Sequence, residues 1–438
     1  MNAGFPLPGI ALHPLRELLN DEFHARPPVP LRSPTLVSHL VFTHDASTQQ
    51  EELAKLQNLG EVATGELLDQ SEAHLVFAAQ AFLLRWERHS EFSSYTVFRE
   101  LTAGEGRNPA ASALEVVPAG WLSAIPGQLI AATHVELQAS REVSPESVTA
   151  GLTPTGRQVV AAQVADQAAW VFTDFMFDSG FSRFLILDVA LTQRQAGRTV
   201  QRLLEIETYR LLALLALPVA KEIGSWLKAA ETQLADMVDQ IGQARSPADE
   251  RQVLAALTGL AAEVEHSVAR TAFRFGAARA YYDLVMQRID ELRELRVTGC
   301  PTFREMMQRR LLPAMQTCIA MAKRQDDLSD RLARSSELLR TRVDVELERQ
   351  NQEQLAQMNQ RARLQLRLQE TVEGLSVVAI TYYASQLVHY LAKGFKTLLP
   401  ALSPEIAAAV SIPLVAAFSI LGIRRMRRRL RQEAGGDH

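Results

Sequence analysis

The stretch GLSVVAITYYASQLVHYLA (374–392), followed closely by IAAAVSIPLVAAFSILGI (406–423), decides how this chain is organised. Neither stretch holds an Asp, Glu, Lys or Arg. At about 1.5 Å per helical residue, each is long enough to cross a hydrocarbon core of about 30 Å. The expectation is a transmembrane hairpin with a connecting loop at 393–405 and a basic tail at 424–438. Orientation follows from the basic residues. Arg424, Arg425, Arg427, Arg428, Arg429 and Arg431 follow the second span, and Arg361, Arg363 and Arg367 precede the first. The loop carries only Lys393 and Lys396 against Glu405. Basic residues stay on the cytoplasmic side, so both ends are expected there and the loop outside. The tail arginines are the candidates for contact with anionic lipid headgroups.

The remaining length sets the scale of the body that the hairpin carries. With 438 residues, 47% hydrophobic and 22% charged, the chain has ordinary globular composition and room for two or three folded units. A net charge of -4, with the basic excess confined to the tail, argues against general nucleic-acid binding. Cys300 and Cys318 lie in helical sequence without a partner motif, which reads as reduced thiols rather than a disulfide framework. The first residues lack both a basic and an apolar signal region, so membrane targeting is assigned to the C-terminal spans.

Upstream of the hairpin the pattern changes once. Residues 1–192 alternate short β-rich runs with Gly and Pro, and strands are expected at 35–42, 74–78, 82–87, 94–99, 128–137, 157–164, 168–175 and 181–191, with a helix at 48–59. The fold class expected here is an α+β domain with a mostly antiparallel sheet. From Arg194 onward Leu, Ala, Gln, Arg and Glu recur at helical spacing. A helical bundle is expected over 193–324, with helices at 197–243, kinked near Pro218, and at 247–296. A third helix begins near Thr302 and continues as a stalk over 325–373 into the first span. In the stalk, Leu347, Asn351, Leu355, Met358, Ala362 and Leu366 recur at spacings of three and four. Two readings stay open: a solvated helix laced with ion pairs, or a coiled-coil stalk packed against copies of itself.

The first span is unusually polar. At about 100° per residue, one arc is wholly apolar, while Ser376, Thr381, Tyr382, Ser385, Gln386, His389 and Tyr390 fill much of the rest. Lipid tolerates such an arc poorly, so it is expected to face protein or water. It could hydrogen-bond neighbouring helices in a homo-oligomer, line a water-filled path through Gln386, His389 and Tyr390, or set tyrosines at headgroup depth. The second span, polar only at Ser411 and Ser419, is its lipid-facing partner.

Chemistry-bearing clusters elsewhere are sparse. Glu22, His24 and Arg26 alternate and share one face of an extended segment, which could bind an anion or metal with His13 or His39, or could tie the segment to its domain. Arg85-Trp86-Glu87-Arg88-His89 is a second cluster, read either as a site or as a sheet face with its charges toward solvent. Glu205, Glu207, Tyr209 and Arg210 interrupt an otherwise apolar core helix; Glu205 and Arg210, five apart, are expected to pair with other helices. No phosphate loop, paired Cys-x-x-Cys, His-Glu-x-x-His or Gly-x-Ser-x-Gly motif occurs, so no catalytic residue, metal or cofactor is assigned and an enzyme is not expected.

Four stretches together resemble a family of uncharacterised bacterial membrane-anchored proteins, a domain of unknown function. They are His13-Pro14 with Asn20-Asp21-Glu22-Phe23-His24-Ala25-Arg26-Pro27, then Arg202 through Arg210, then Leu338 through Asp344, and finally Gln365 through Tyr383. The resemblance covers nearly the whole chain and implies a bacterial inner-membrane location, but no activity. The layout also resembles the CorA-type divalent-cation channels. Those carry Gly-Met-Asn at the outer end of the first span, where this chain reads Tyr390-Leu391-Ala392-Lys393-Gly394-Phe395. The expected function is a membrane-anchored homo-oligomer, either a CorA-like ion conduit or a scaffold; the alternative is a tethered module whose α+β domain captures a cytoplasmic partner. Lipids and other copies of the chain are the expected partners.

Overall fold

The structure is a computed structural model that describes residues 12–17, 19–20, 27–44, 48–71, 73–102, 111–140, 147–148, 158–244, 246–395 and 403–433. It has an N-terminal α/β sheet domain followed by long helices. Ten strands, β1 (Thr35–Thr43), β2 (Gly65–Gln70), β3 (His74–Ala79), β4 (Leu83–Arg88), β5 (Phe92–Glu100), β6 (Gln128–Ala139), β7 (Val160–Val164), β8 (Ala169–Thr173), β9 (Ser182–Asp188) and β10 (Leu295–Arg296), form one sheet. Its order is β10-β7-β8-β9-β6-β1-β5-β4-β3-β2. Among the described residues, every pairing is antiparallel except β6 with β9.

Side chains alternate across a strand, so each face of the sheet can be read from the register. On one face, Leu36, Leu40, Leu84, Trp86, Tyr95 and Val97 form a core with Leu56 and Leu59 of helix α1 (Gln49–Val62). Trp121, on the short helix α2 (Ala119–Leu122), joins that core and donates its Nε1 proton to the Lys55 carbonyl at 2.7 Å. The opposite face carries Val41 and Phe92 against Leu212 of α3 (Gln193–Leu214).

Helix α3 starts at a capping box, with the Gln195 amide donating to Thr192 Oγ1 at 3.3 Å and the Thr192 amide to Gln195 Oε1 at 3.0 Å. Gly197 lets the chain at Val29 pass close by: a Cβ here would lie 1.9 Å from the Val29 carbonyl oxygen. Helix α4 (Ala216–Gln243) buries Ala220, Ile223, Leu227, Ala230, Leu234 and Met237, the three-four repeat of a helix packed along one seam. Next come α5 (Pro247–Leu292), α6 (Phe303–Arg310), α7 (Leu312–Phe395) and α8 (Pro404–Glu433). Between α5 and α7, Gln325 Nε2 donates to Ser267 Oγ at 2.9 Å and its Oε1 accepts from Thr271 at 3.2 Å, so three buried polar side chains satisfy one another.

The chain divides into two compact units, Met1–Gln243 with Val253–Ser336, and Ala244–Gln252 with Glu337–His438. In the second unit, Arg342 pairs with the buried Glu250 carboxylate at 2.7 Å, while Leu355, Met358 and Leu366 stay 60%, 65% and 61% exposed. Among the described residues one helix is long and apolar enough to cross a membrane, Pro404–Arg425. A two-helix hairpin is not established. The stretch at 374–392 is the end of α7, and Gln386, His389 and its tyrosines and hydroxyls dilute its apolar character. Residues 396–402 lie outside the described residues.

Candidate functional site

A polar row crosses the middle of the sheet on the α3 face. Ser182 pairs in register with Thr133, Thr133 with His39, His39 with Thr96, and Thr96 with Arg85, linking β9, β6, β1, β5 and β4. All five are buried. A sheet face roofed by a helix is ordinarily apolar, because an unpaired polar group there loses its water without compensation. Most of this row is satisfied internally. Thr133 and Ser182 hydroxyls meet at 3.0 Å. His39 Nδ1 meets Thr96 Oγ1 at 2.8 Å, and its Nε2 meets Thr208 Oγ1 of α3 at 3.2 Å. Burial, with the Arg85 and His89 charges adding to it, lowers the His39 pKa to about 3, so the ring is neutral, with one ring nitrogen donating and the other accepting.

Arg85 ends the row and is 4% exposed. Its Nη2 lies 3.2 Å from Glu87 Oε2, the next residue on the same face of β4, whereas its buried Nε has no hydrogen-bond partner. A cavity of about 190 Å³ opens here, lined by Arg85, Glu87, His39, Ser94, Glu205, Thr208 and Arg288 among others. Glu205 of α3 is paired with Arg288 of α5 and accepts from Gln201 at 2.8 Å. Arg288 also reaches Glu291 at 2.8 Å, and Arg202 binds the same carboxylate at 3.1 Å. Tyr209 stacks on Tyr281 at 5.6 Å between ring centres, and burial with the Glu91 carboxylate raises the Tyr281 phenol pKa. The cavity thus sets two arginines against two glutamates in a site closed by α3, and one guanidinium nitrogen lacks an acceptor.

Three clusters that lie far apart in the sequence meet at this cavity: His39, the segment from Arg85 to His89, and the motif around Glu205. The charges of Arg85 and Glu87 are buried, not turned to solvent. Arg88 points the other way and pairs with Glu52 of α1, whose Oε2 also accepts from Ser93 at 3.0 Å. Glu205 finds another helix, as its spacing suggested. Arg210 does not: it makes a bidentate pair with Glu207 on its own helix, at 2.8 and 2.6 Å, because residues three apart are surface neighbours. Glu22, His24 and Arg26 lie outside the described residues. Sequence reasoning did not single out Thr96, Thr208 or Arg288; hydroxyls and a helical arginine carry no local signal.

In the second unit, the α7 hydroxyls mostly bond back to their own helix. Ser376 donates to the Val372 carbonyl at 2.8 Å, Thr381 to Val377 at 2.7 Å and Ser385 to Tyr382 at 2.8 Å. Ser385 is buried, Gln386 and His389 are half-buried, and Tyr382 and Tyr390 are exposed. His389 Nδ1 lies 3.3 Å from the Pro404 carbonyl oxygen. On α8, Arg424 and Arg425 are exposed, and the side chains of Arg427, Arg428, Arg429 and Arg431 lie outside the described set. Among the described residues no group of three or more His, Cys, Asp or Glu is placed to hold a metal ion.

No curated protein matches the sequence. A family model described as protein of unknown function (DUF3422) matches residues 11–430, nearly the whole chain, and nothing supports the likeness to CorA-type channels. The chain therefore belongs to the DUF3422 family.

Proposed function

We propose that the protein is a membrane-tethered binding module whose α/β domain takes up a small carboxylate ligand beneath α3. One observation carries the reading: a buried guanidinium, Arg85, faces a cavity with its Nε unpartnered. The missing partner is an acceptor, and a carboxylate is the planar acceptor that arginine matches best. The two arginines and two glutamates lining the cavity balance formally, which favours a ligand of low total charge, such as a monocarboxylic or amino acid, over a phosphate dianion. Anchoring falls to the apolar helix α8, with 374–392 as the second arm of a hairpin and both ends cytoplasmic.

Thermal unfolding of the full chain in lipid nanodiscs, with acetate, lactate, glycine, glutamate or phosphate added, tests this. At least one carboxylate is expected to raise the melting temperature saturably in wild type and to leave Arg85→Gln unmoved. If no carboxylate stabilises, or the two proteins respond equally, the site is not a carboxylate site.

A second reading, a homo-oligomeric scaffold, draws on the stalk, where Leu355, Met358 and Leu366 are exposed at helical spacing. It is compatible with the first, since copies joined along α7 would each keep their own cavity. Ion conduction along Gln386, His389 and Tyr390 has no supporting contact among the described residues.

A further inference from the structure

In the connection between β8 and β9, ahead of the tight turn at Ser179-Gly180, the backbone bends at Phe175, a bulky residue at φ +53°. Such left-handed backbone is uncommon outside glycine and persists where the surroundings enforce it. Here the Phe175 amide donates to Thr173 Oγ1 at 3.1 Å and the Met176 amide to Asp174 Oδ1 at 3.0 Å. The Phe175 ring meets Phe184 and Phe303 edge-on at 5.7 and 5.8 Å, and the Arg210 guanidinium lies 5.4 Å from its centre. The bend at Phe175 is therefore fixed on several sides.

Against it lies a separate cavity of about 520 Å³, lined by Phe175, Met176, Leu214, Met306, Met307 and Arg310 among others. Its size falls in the range of small-molecule sites. Methionine walls adapt to flexible apolar chains. The charges nearby are unequally engaged. Arg210 is neutralised by Glu207, and the Asp174 carboxylate, which also lines the cavity, accepts from the Met176 amide. Arg310 is exposed and makes no ion pair or hydrogen bond with any described residue. An apolar wall beside an exposed cation that no carboxylate touches suits an amphipathic anion.

We propose that this cavity binds a single-chain amphipathic acid, its acyl chain against Met306, Met307 and Leu214 and its acidic headgroup on Arg310. At roughly 30 Å³ per heavy-atom group, the volume that a liquid water occupies, there is room for a headgroup and about twelve carbons. The site is independent of the Arg85 cavity and stands or falls without it.

The test uses the full chain in phosphatidylcholine nanodiscs with a dodecanoate carrying a terminal diazirine, photolysed and mapped by mass spectrometry. Cross-links are expected on peptides containing Met176, Leu214 or Met306-Met307. Excess unlabelled dodecanoate or lauroyl-lysophosphatidate should suppress them at least tenfold, and whichever competes better identifies a free acid or a lysolipid as the source. Acetate and dodecanol should compete poorly. Arg310→Glu should lower labelling at least fivefold, with Arg310→Lys retaining most of it and both variants melting like wild type. Labelling confined to α8, equal competition by dodecanol, or full labelling of Arg310→Glu would overturn the proposal.

Discussion

His39 and Arg85 stand on either side of Thr96 on one face of the sheet, each its register partner, so a neutral imidazole and a guanidinium share a buried polar row. That neutrality has a pH signature. His39 titrates near 3 in the folded chain and near 6.5 when unfolded, so the unfolded chain binds the proton first as pH falls. Stability contributed by neutral His39 is complete above about pH 6.5 and declines toward pH 3, by about 1.4 kcal/mol per pH unit within the window. His134, lowered to about 4 chiefly by burial, acts in the same direction and remains in the variant. Urea unfolding followed by tryptophan fluorescence at pH 4.5 to 7 should show a shallower pH dependence for His39→Gln than for wild type. Identical slopes would mean that His39 is not held neutral.

The Arg85–Glu87 pair should behave as a unit. Arg85→Met leaves the Glu87 carboxylate buried without its cation, and breaking a buried pair from one side costs about 3 kcal/mol or more. Replacing both by Met removes the stranded charge, so the double variant should recover most of the loss. A double-mutant cycle by denaturant unfolding measures it; additive losses would show that the two side chains are not coupled.

Gly197 should be intolerant of any side chain. A Cβ 1.9 Å from the Val29 carbonyl oxygen forces backbone apart, a cost of about 1–3 kcal/mol for Gly197→Ala. Gly259→Ala, on α5 with nothing within 4 Å, should instead gain about 0.5–1 kcal/mol from helix propensity. Melting temperatures of the two variants should move in opposite directions. A matching shift would place the Val29 crossing elsewhere.

Removal of 404–438 should release the protein from membranes to carbonate extraction, because 374–392 is too polar to hold on its own. Retention of the shortened chain would show that the end of α7 inserts independently. In the full chain, Lys396→Cys should label from outside the cell; labelling from the cytoplasmic side alone would reverse the hairpin.

The sequence conveyed most of the strands and little of the site, for physical reasons that particular residues make plain. Strands such as β1 and β5 are buried on both faces over most of their length, so their richness in β-branched and aromatic side chains, not alternation, makes them visible in a single sequence. Strand β2, Gly65–Gln70, is wholly exposed and has no β-branched residue, and β10 is two residues long, so both lacked a pattern to read. The long helices were legible from Leu and Ala spacing, with breaks where Pro218 and Pro313 begin new first turns. The cavity was legible only in fragments. His39 and Thr208 are 169 positions apart, and Arg288 reaches Glu205 across 83. Such contacts come from sheet register and helix docking, which no local window contains.

Carboxylate binding beneath α3 is read most directly in the side-chain nitrogen spectrum of Arg85. In full-length protein labelled at arginine Nε, the Arg85 signal is identified by its loss in Arg85→Lys, and acetate, lactate or glycine is then titrated in. With at least one of these probes the Arg85 Nε–H signal alone should shift, saturably, while surface arginines drift little. An Arg85 signal unmoved by every carboxylate, or one that moves no more than the surface arginines, would contradict carboxylate binding there.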